Sequence, residues 1–145
     1  VREDISQADL AATLRRVKNL AIVGVSNNPE RASFQVAKYL KDHSDYNLFF
    51  VNPNLDSIFG EKVYSSLKEI PASIDLVDIF RKPQDVLPIL FEAIEIKAKV
   101  FWMQLGIKNA EATAQGVAAG IVVIEDRCIK IDYQELIVAK SGQAD

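Results

Sequence analysis

The sequence of 145 residues predicts an α/β fold, a doubly wound and mainly parallel sheet with helices on both faces. Three observations carry this expectation. Apolar runs of strand length recur at residues 20–23, 46–51, 75–80, 99–103 and 121–124. Stretches with helical spacing separate most of them. The first run, Leu20, Ala21, Ile22 and Val23, has no polar residue at all, as befits a strand buried on both faces. Five strands in the order 3-2-1-4-5, counted along the chain as above, then make a Rossmann-like sheet.

The elements follow in order. Ser6 is placed to cap a first helix ending near Arg16, with Asp9 in its opening turn and Leu10, Ala11, Leu14 and Val17 along one face. The first strand stops at Gly24. Val25, Ser26, Asn27, Asn28 and Pro29 read as a turn. A second helix follows, with Phe34, Val36, Ala37, Tyr39 and Leu40 on its apolar side, and fades between Lys41 and Ser44. The second strand, YNLFFV, is stopped by Asn52, Pro53 and Asn54. An irregular stretch leads to Gly60, a short extended piece at 62–64 and one or two helical turns over 65–70. The third strand, DLVDIF, closes at Arg81, Lys82 and Pro83. A helix over 84–97 follows, with Pro88 tolerated near its start. The fourth strand ends at Gln104, Leu105 and Gly106. Asn109 opens a helix of small residues that Gly120 caps. The fifth strand and an extended piece over 126–131 complete the pattern. Residues 140–145 form a polar tail expected to be mobile.

Composition narrows the function. The length suits one domain spanning 1–145. A net charge of −3 argues against a broad nucleic-acid surface. One cysteine allows no internal disulfide and no zinc cluster, which points to a reducing, cytoplasmic setting. No apolar stretch is long enough to span a bilayer, and the first residues lack a signal-type apolar core.

Ligands of such sheets bind beyond the carboxyl ends of the strands, where strand order reverses. The strand ends therefore supply the candidates. Gly24, Val25, Ser26 and Asn27 form the first βα turn, whose backbone N–H groups suit a phosphate. Only one glycine stands where the dinucleotide fingerprint has three, so a plain turn is the competing reading. Arg31 and Ser33 lie on the next helical turn, within reach of an anion. Asn52 and Pro53 end the second strand; Asn52 stands where a nicotinamide dinucleotide enzyme places a carboxylate, which counts against that ligand. Phe80 can pack on a base, and Arg81 and Lys82 can meet a further phosphate; the alternative is an ion pair with Asp78 or Asp75 and a core Phe80. Trp102 reads as core, and Gln104 as the better ligand contact on the same strand face. His43 falls at the opposite end of the sheet from the strand tips. Cys128 has no histidine to activate it and reads as a packed thiol, with proximity to a thiol ligand as the alternative. No catalytic residues and no metal ligands emerge.

Five stretches in order, IVGVSNNPERASFQVAKYL, VNPN with FGEKVYSSL, IDLVDIFRKP, VFWMQLGI and AAGIVVIEDRCIKID, resemble the stand-alone CoA-binding protein family. That family is related to the N-terminal CoA-binding domain of the succinyl-CoA synthetase α subunit. The resemblance implies a Rossmann-type fold binding coenzyme A or an acyl-CoA. Gly24, Val25 and Ser26 would hold the diphosphate, and Asn52 and Pro53 would line the adenosine side. Phe80 and Arg81 would face the adenine and the 3′-phosphate, with Gln104 and Gly106 edging the pantetheine path. Asn27 and Asn28 stand where many members carry a basic or small residue, which shifts the expected affinity toward Arg31, Arg81 and Lys82. The synthetases' ligase chemistry uses a phosphorylated histidine on a following domain and a partner subunit, so a binder is implied rather than a ligase. A nicotinamide dinucleotide protein, or a CoA-linked thiol redox protein using Cys128, is the alternative. Homo-oligomerisation and a protein partner are left open.

Overall fold

A computed structural model describes residues 5–141. The first helix, α1 (Gln7–Arg16), begins as its sequence dictates, with the Ser6 hydroxyl accepting the Asp9 N–H at 3.1 Å. It is followed by β1 (Asn19–Val23), α2 (Ala32–His43), β2 (Asn47–Val51), β3 (Ser57–Ile58) and β4 (Glu61–Tyr64). A 3-10 turn at Leu67–Glu69 leads to β5 (Leu76–Ile79). A second 3-10 turn, Pro83–Asp85, enters α3 (Val86–Glu95), and then come β6 (Val100–Met103), α4 (Ala110–Ala118) and β7 (Val122–Ile124). Last are α5 (Ile129–Tyr133), a π-helical turn at Gln134–Val138 and α6 (Ala139–Ser141).

The sheet runs β3-β4-β2-β1-β5-β6-β7, parallel throughout except for the antiparallel β3–β4 hairpin. The doubly wound α/β class is as the sequence predicts, and two details differ. There are seven strands rather than five, because the extended piece at 62–64 is a full sheet member paired to β2 and residues 57–58 add a further strand antiparallel to it. The order differs for the same reason: the DLVDIF strand sits on the other side of β1 from β2, not beyond it. Position three from the centre belongs to β4.

Strand alternation sorts the core into two layers. Leu20, Ile22, Leu76 and Trp102 face α1, α2 and α5. Ala21, Val23, Val77, Ile79, Phe101 and Met103 face α3 and α4. Gly116 lets α4 come close, since a β-carbon there would lie 2.6 Å from Val123. Gly120 ends α4 in the left-handed region, with Gly120 N–H on Val117 O and Ile121 N–H on Gly116 O, the paired bonds of a Schellman stop. Pro88 lies in the first turn of α3, where its missing N–H has no intrahelical partner to lose.

The extended piece expected over 126–131 is a correction. Asp126 turns the chain at φ 58°, and Arg127 then clasps Asp132 through two hydrogen bonds of 2.8 and 2.9 Å. That i,i+5 pair closes the first turn of α5 and makes the segment helical. Lys140 and Ser141 of the expected tail continue a helix, and residues 142–145 lie outside the described residues.

Candidate functional site

All the parallel strands end on one edge of the sheet. β1 lies between β2 and β5, and the chain leaves it toward β2 and later returns on the β5 side. A crevice must open above β1, where the two directions diverge.

Gly24 sets the floor of that crevice. Its φ is +86°, and a β-carbon there would lie 2.2 Å from the Phe80 carbonyl oxygen and 3.0 Å from Arg81 Cδ. Glycine thus lets the first loop pass directly over the tip of β5 and makes room for the Arg81 stem. The Gly24 N–H is held by Val51 O at 2.9 Å.

The loop after it is braced from within. Ser33 is buried, and its hydroxyl accepts the Ser26 N–H at 2.9 Å. Ser26 Oγ accepts the Asn28 N–H, and Asn28 Oδ1 accepts the Glu30 N–H, both at 3.0 Å. The Asn28 carbonyl accepts the Arg31 N–H. Asn28, a departure from the resemblance pattern, is therefore an organiser of this loop. The turn delivers α2 with its amino end bare: Arg31 at the N-cap makes no side-chain cap bond, and the first turn holds no acidic residue. Its leading N–H groups and partial positive charge are left for an external anion.

Two clefts meet at Arg81. The first, of about 470 Å³, is lined by Gly24, Ser26, Arg31, Ser33, Phe80, Arg81 and Lys82, with Ala32, Pro83 and Ile107. Seven of the sequence-predicted residues meet there. The second, of about 120 Å³, takes in Pro53, Ser65, Ser66, Arg81, Ile89 and Glu92 above Val23, Gly24, Val51 and Leu67. A third, open cleft of about 480 Å³ lies between the Ser26–Asn28 loop and Asn52, Asn54 and Leu55.

The charge in the first cleft is unspent. Neither Arg81 nor Lys82 joins an ion pair among the described residues. Arg81 Nε is buried with no hydrogen-bond partner. The partners that the sequence offered are elsewhere: Asp75 accepts the Lys18 and Asn19 N–H groups at the opposite end of the sheet, and Asp78 is sealed in the core. Burial holds the Asp78 carboxyl well above the usual carboxylate range, and neither of its oxygens has a partner.

Other predicted residues are placed away from the first cleft. Val25 is fully buried in the core layer facing α2. Asn52 spends its amide on structure, Nδ2 donating to Val25 O and Oδ1 accepting the Asn54 N–H, both at 2.8 Å. Asn27 borders only the third cleft. Gln104 is buried, with Oε1 accepting the Ile129 N–H at 3.0 Å, which fixes the start of α5. Gly106 donates its N–H to Asp126 Oδ1 at 2.7 Å. Trp102 is core, its indole N–H on Arg127 O. His43 stacks on Tyr39 at the far end of α2, and Cys128 is half-buried at the start of α5. Among the described residues no cluster could hold a metal ion, and no helix is long and apolar enough to cross a membrane.

Ser65, Ser66, Ile89 and Glu92 were not anticipated. Ser65 and Ser66 follow β4 directly, so reading 62–64 as a strand would have added them to the strand ends. Ile89 and Glu92 belong to a helix that overhangs the tips, a placement no local pattern encodes.

The CoA binding domain family matches over residues 18–134. Protein YneT of Bacillus subtilis is 40% identical over 128 residues, 88% of this chain and 94% of that protein. The α subunit of an ADP-forming acetate–CoA ligase II from Pyrococcus furiosus is 33% identical over 78 residues, 54% of this chain and 17% of that much longer subunit. A hypothetical protein from Pyrococcus horikoshii OT3 superposes with a TM-score of 0.89 at 34% identity, covering 94% of this chain and 98% of that one.

Proposed function

Because the chain belongs to the CoA binding domain family, we propose that it binds coenzyme A or an acyl-CoA across the tips of β1, β2 and β5. The observation that carries the reading is the convergence of Arg31, Arg81, Lys82 and the bare amino end of α2 on one cleft. A ligand with three phosphate groups on one nucleotide needs such a concentration of unpaired positive charge. The buried, partnerless Nε of Arg81 is the group whose cost a bound phosphate would remove.

The two adjoining clefts divide the work. The first suits the diphosphate, which meets the α2 N–H groups, the Ser26 hydroxyl and Arg31. The second offers Pro53, Ile89 and the Arg81 stem as apolar surface for the adenine, with the Ser66 hydroxyl close by; Ser66 caps its 3-10 turn without spending its side chain. Arg81 borders both clefts and can reach the 3′-phosphate between them. The reading gives the chain capture of a ligand and assigns it no reaction. Nothing at the tip of β2 favours a nicotinamide dinucleotide, since that strand ends at Asn52 with its amide spent. Cys128 borders none of the three clefts.

The test is calorimetric. Arg81→Ala is expected to weaken coenzyme A by about tenfold or more, the worth of a hydrogen bond to a charged group. Dephospho-coenzyme A, which lacks the 3′-phosphate, should lose less. Equal losses for both ligands would remove Arg81 from the 3′-phosphate.

A further inference from the structure

The β3–β4 hairpin contains a bulky residue in a conformation that costs free energy. Phe59 and Gly60 link Ser57–Ile58 to Glu61–Tyr64, with φ of 54° and 75°. Two consecutive left-handed residues make the turn type that asparagine followed by glycine adopts at little cost, whereas a Phe at the first position is strained. Ile58 pairs with Glu61 directly across the turn, so the strain is not relieved by slippage. Something must hold Phe59 there.

Its ring supplies the answer. The Phe59 ring lies 5.0 Å from that of Phe34 and 5.8 Å from that of Phe50. Phe50 is a fully buried residue of β2. Phe34 stands on the first turn of α2, one residue after Ser33, whose hydroxyl holds the Ser26 N–H. Apolar packing of the hairpin thus reaches, through two side chains on neighbouring positions, the loop whose N–H groups line the first cleft. An exposed edge hairpin that needed only to turn would carry no such residue.

We infer that Phe59 is a positioning residue for ligand capture: the strained hairpin presses an aromatic clasp onto Phe34 and so fixes the first turn of α2 and the Ser26–Ser33 brace before the anion arrives. This rests on the reading that the first cleft holds a diphosphate. Preorganisation of this kind lowers the ordering cost of binding. Phe59→Asn keeps a residue that tolerates the turn and removes the clasp, whereas Phe59→Leu retains apolar contact.

The experiment uses amide exchange by NMR on the ligand-free chain, together with calorimetry. In Phe59→Asn, exchange at Ser26 and Gln35 should accelerate several-fold while the amides of β1 stay protected. Affinity for coenzyme A should fall about three- to tenfold, the worth of one aromatic pair. Phe59→Leu should recover part of both. Unchanged exchange at Ser26 and Gln35, or unchanged affinity, with β1 protected would overturn the inference. If Phe59→Asn loses β1 protection, Phe34→Ala, which removes the other half of the ring pair, replaces it with the same expectations. If the unmodified chain takes no coenzyme A, the functional reading fails, and the exchange arm alone decides whether the clasp exists.

Discussion

Two single residues carry consequences that can be measured directly. Gly24 is one. A β-carbon placed 2.2 Å from the Phe80 carbonyl cannot be relieved by a side-chain rotation, because the obstacle is backbone. The same residue would have to keep a φ of +86°. Gly24→Ala is therefore expected to cost about 3 kcal/mol or more in urea unfolding, within the range of strain plus overpacking. A loss below ~1 kcal/mol would mean that the loop can leave the tip of β5. Asp78 is the other. Its carboxyl is buried without a partner and keeps its proton to well above the usual carboxylate range, whereas an unfolded aspartate titrates at about 3.9. The stability this group contributes is complete below the unfolded value and is lost as pH rises through the folded one. The urea midpoint should thus fall as pH rises above the unfolded value, and Asp78→Asn should flatten that slope. A parent and variant with parallel pH profiles would show Asp78 to be ionised or hydrated in the fold.

At the scale of elements, the places where sequence reading stopped short have physical causes. Helix starts at Ser6 and Asn109 were legible because a capping side chain acts within three residues of its target. The piece at 62–64 was legible as extended but not as a member of the sheet, since four residues with two charges at the start carry no alternation long enough to count. The helix after Cys128 was hidden because side-chain bonds decide it: the Ile129 N–H bond to the distant Gln104 and the Arg127–Asp132 clasp across five residues. Gln104 illustrates the general difficulty. Its position at a strand tip was read correctly, but the side chain is spent on a neighbour 25 residues away. Gln104→Leu is accordingly expected to destabilise the fold by about 1–3 kcal/mol, the cost of a buried N–H left without an acceptor. Its affinity for coenzyme A should stay within about twofold of the parent. A large affinity loss with unchanged stability would return Gln104 to the binding surface.

For the molecule as a whole, the parallel doubly wound class was legible from the strand–turn–helix alternation, and with it the edge on which a ligand site must lie. The neighbours of β1 were not, since the DLVDIF strand pairs with β1 instead of lying beyond β2. What the chain order alone could not supply was which tips meet. The structure brings β1, β2, β4 and β5 together and leaves β6 aside. Predicted residues on the first and third of the main strands thus converge, while Gln104 and Gly106 do not. Global topology decides such convergence, and no local spacing reports it. The relatives fit this division, for the shared segment is nearly the whole of YneT and a small part of the ligase subunit.

The most direct test maps ligand onto residue: backbone amide shifts followed by NMR while coenzyme A is titrated into the unmodified chain. The account predicts saturable shifts at Ser26, at Ala32 to Phe34 and at Arg81 and Lys82, with Asn19, Asn47 and Val100 at the other end of the strands unmoved. Shifts centred on that other end, or none at millimolar coenzyme A (on the order of the weakest specific affinities), would contradict it.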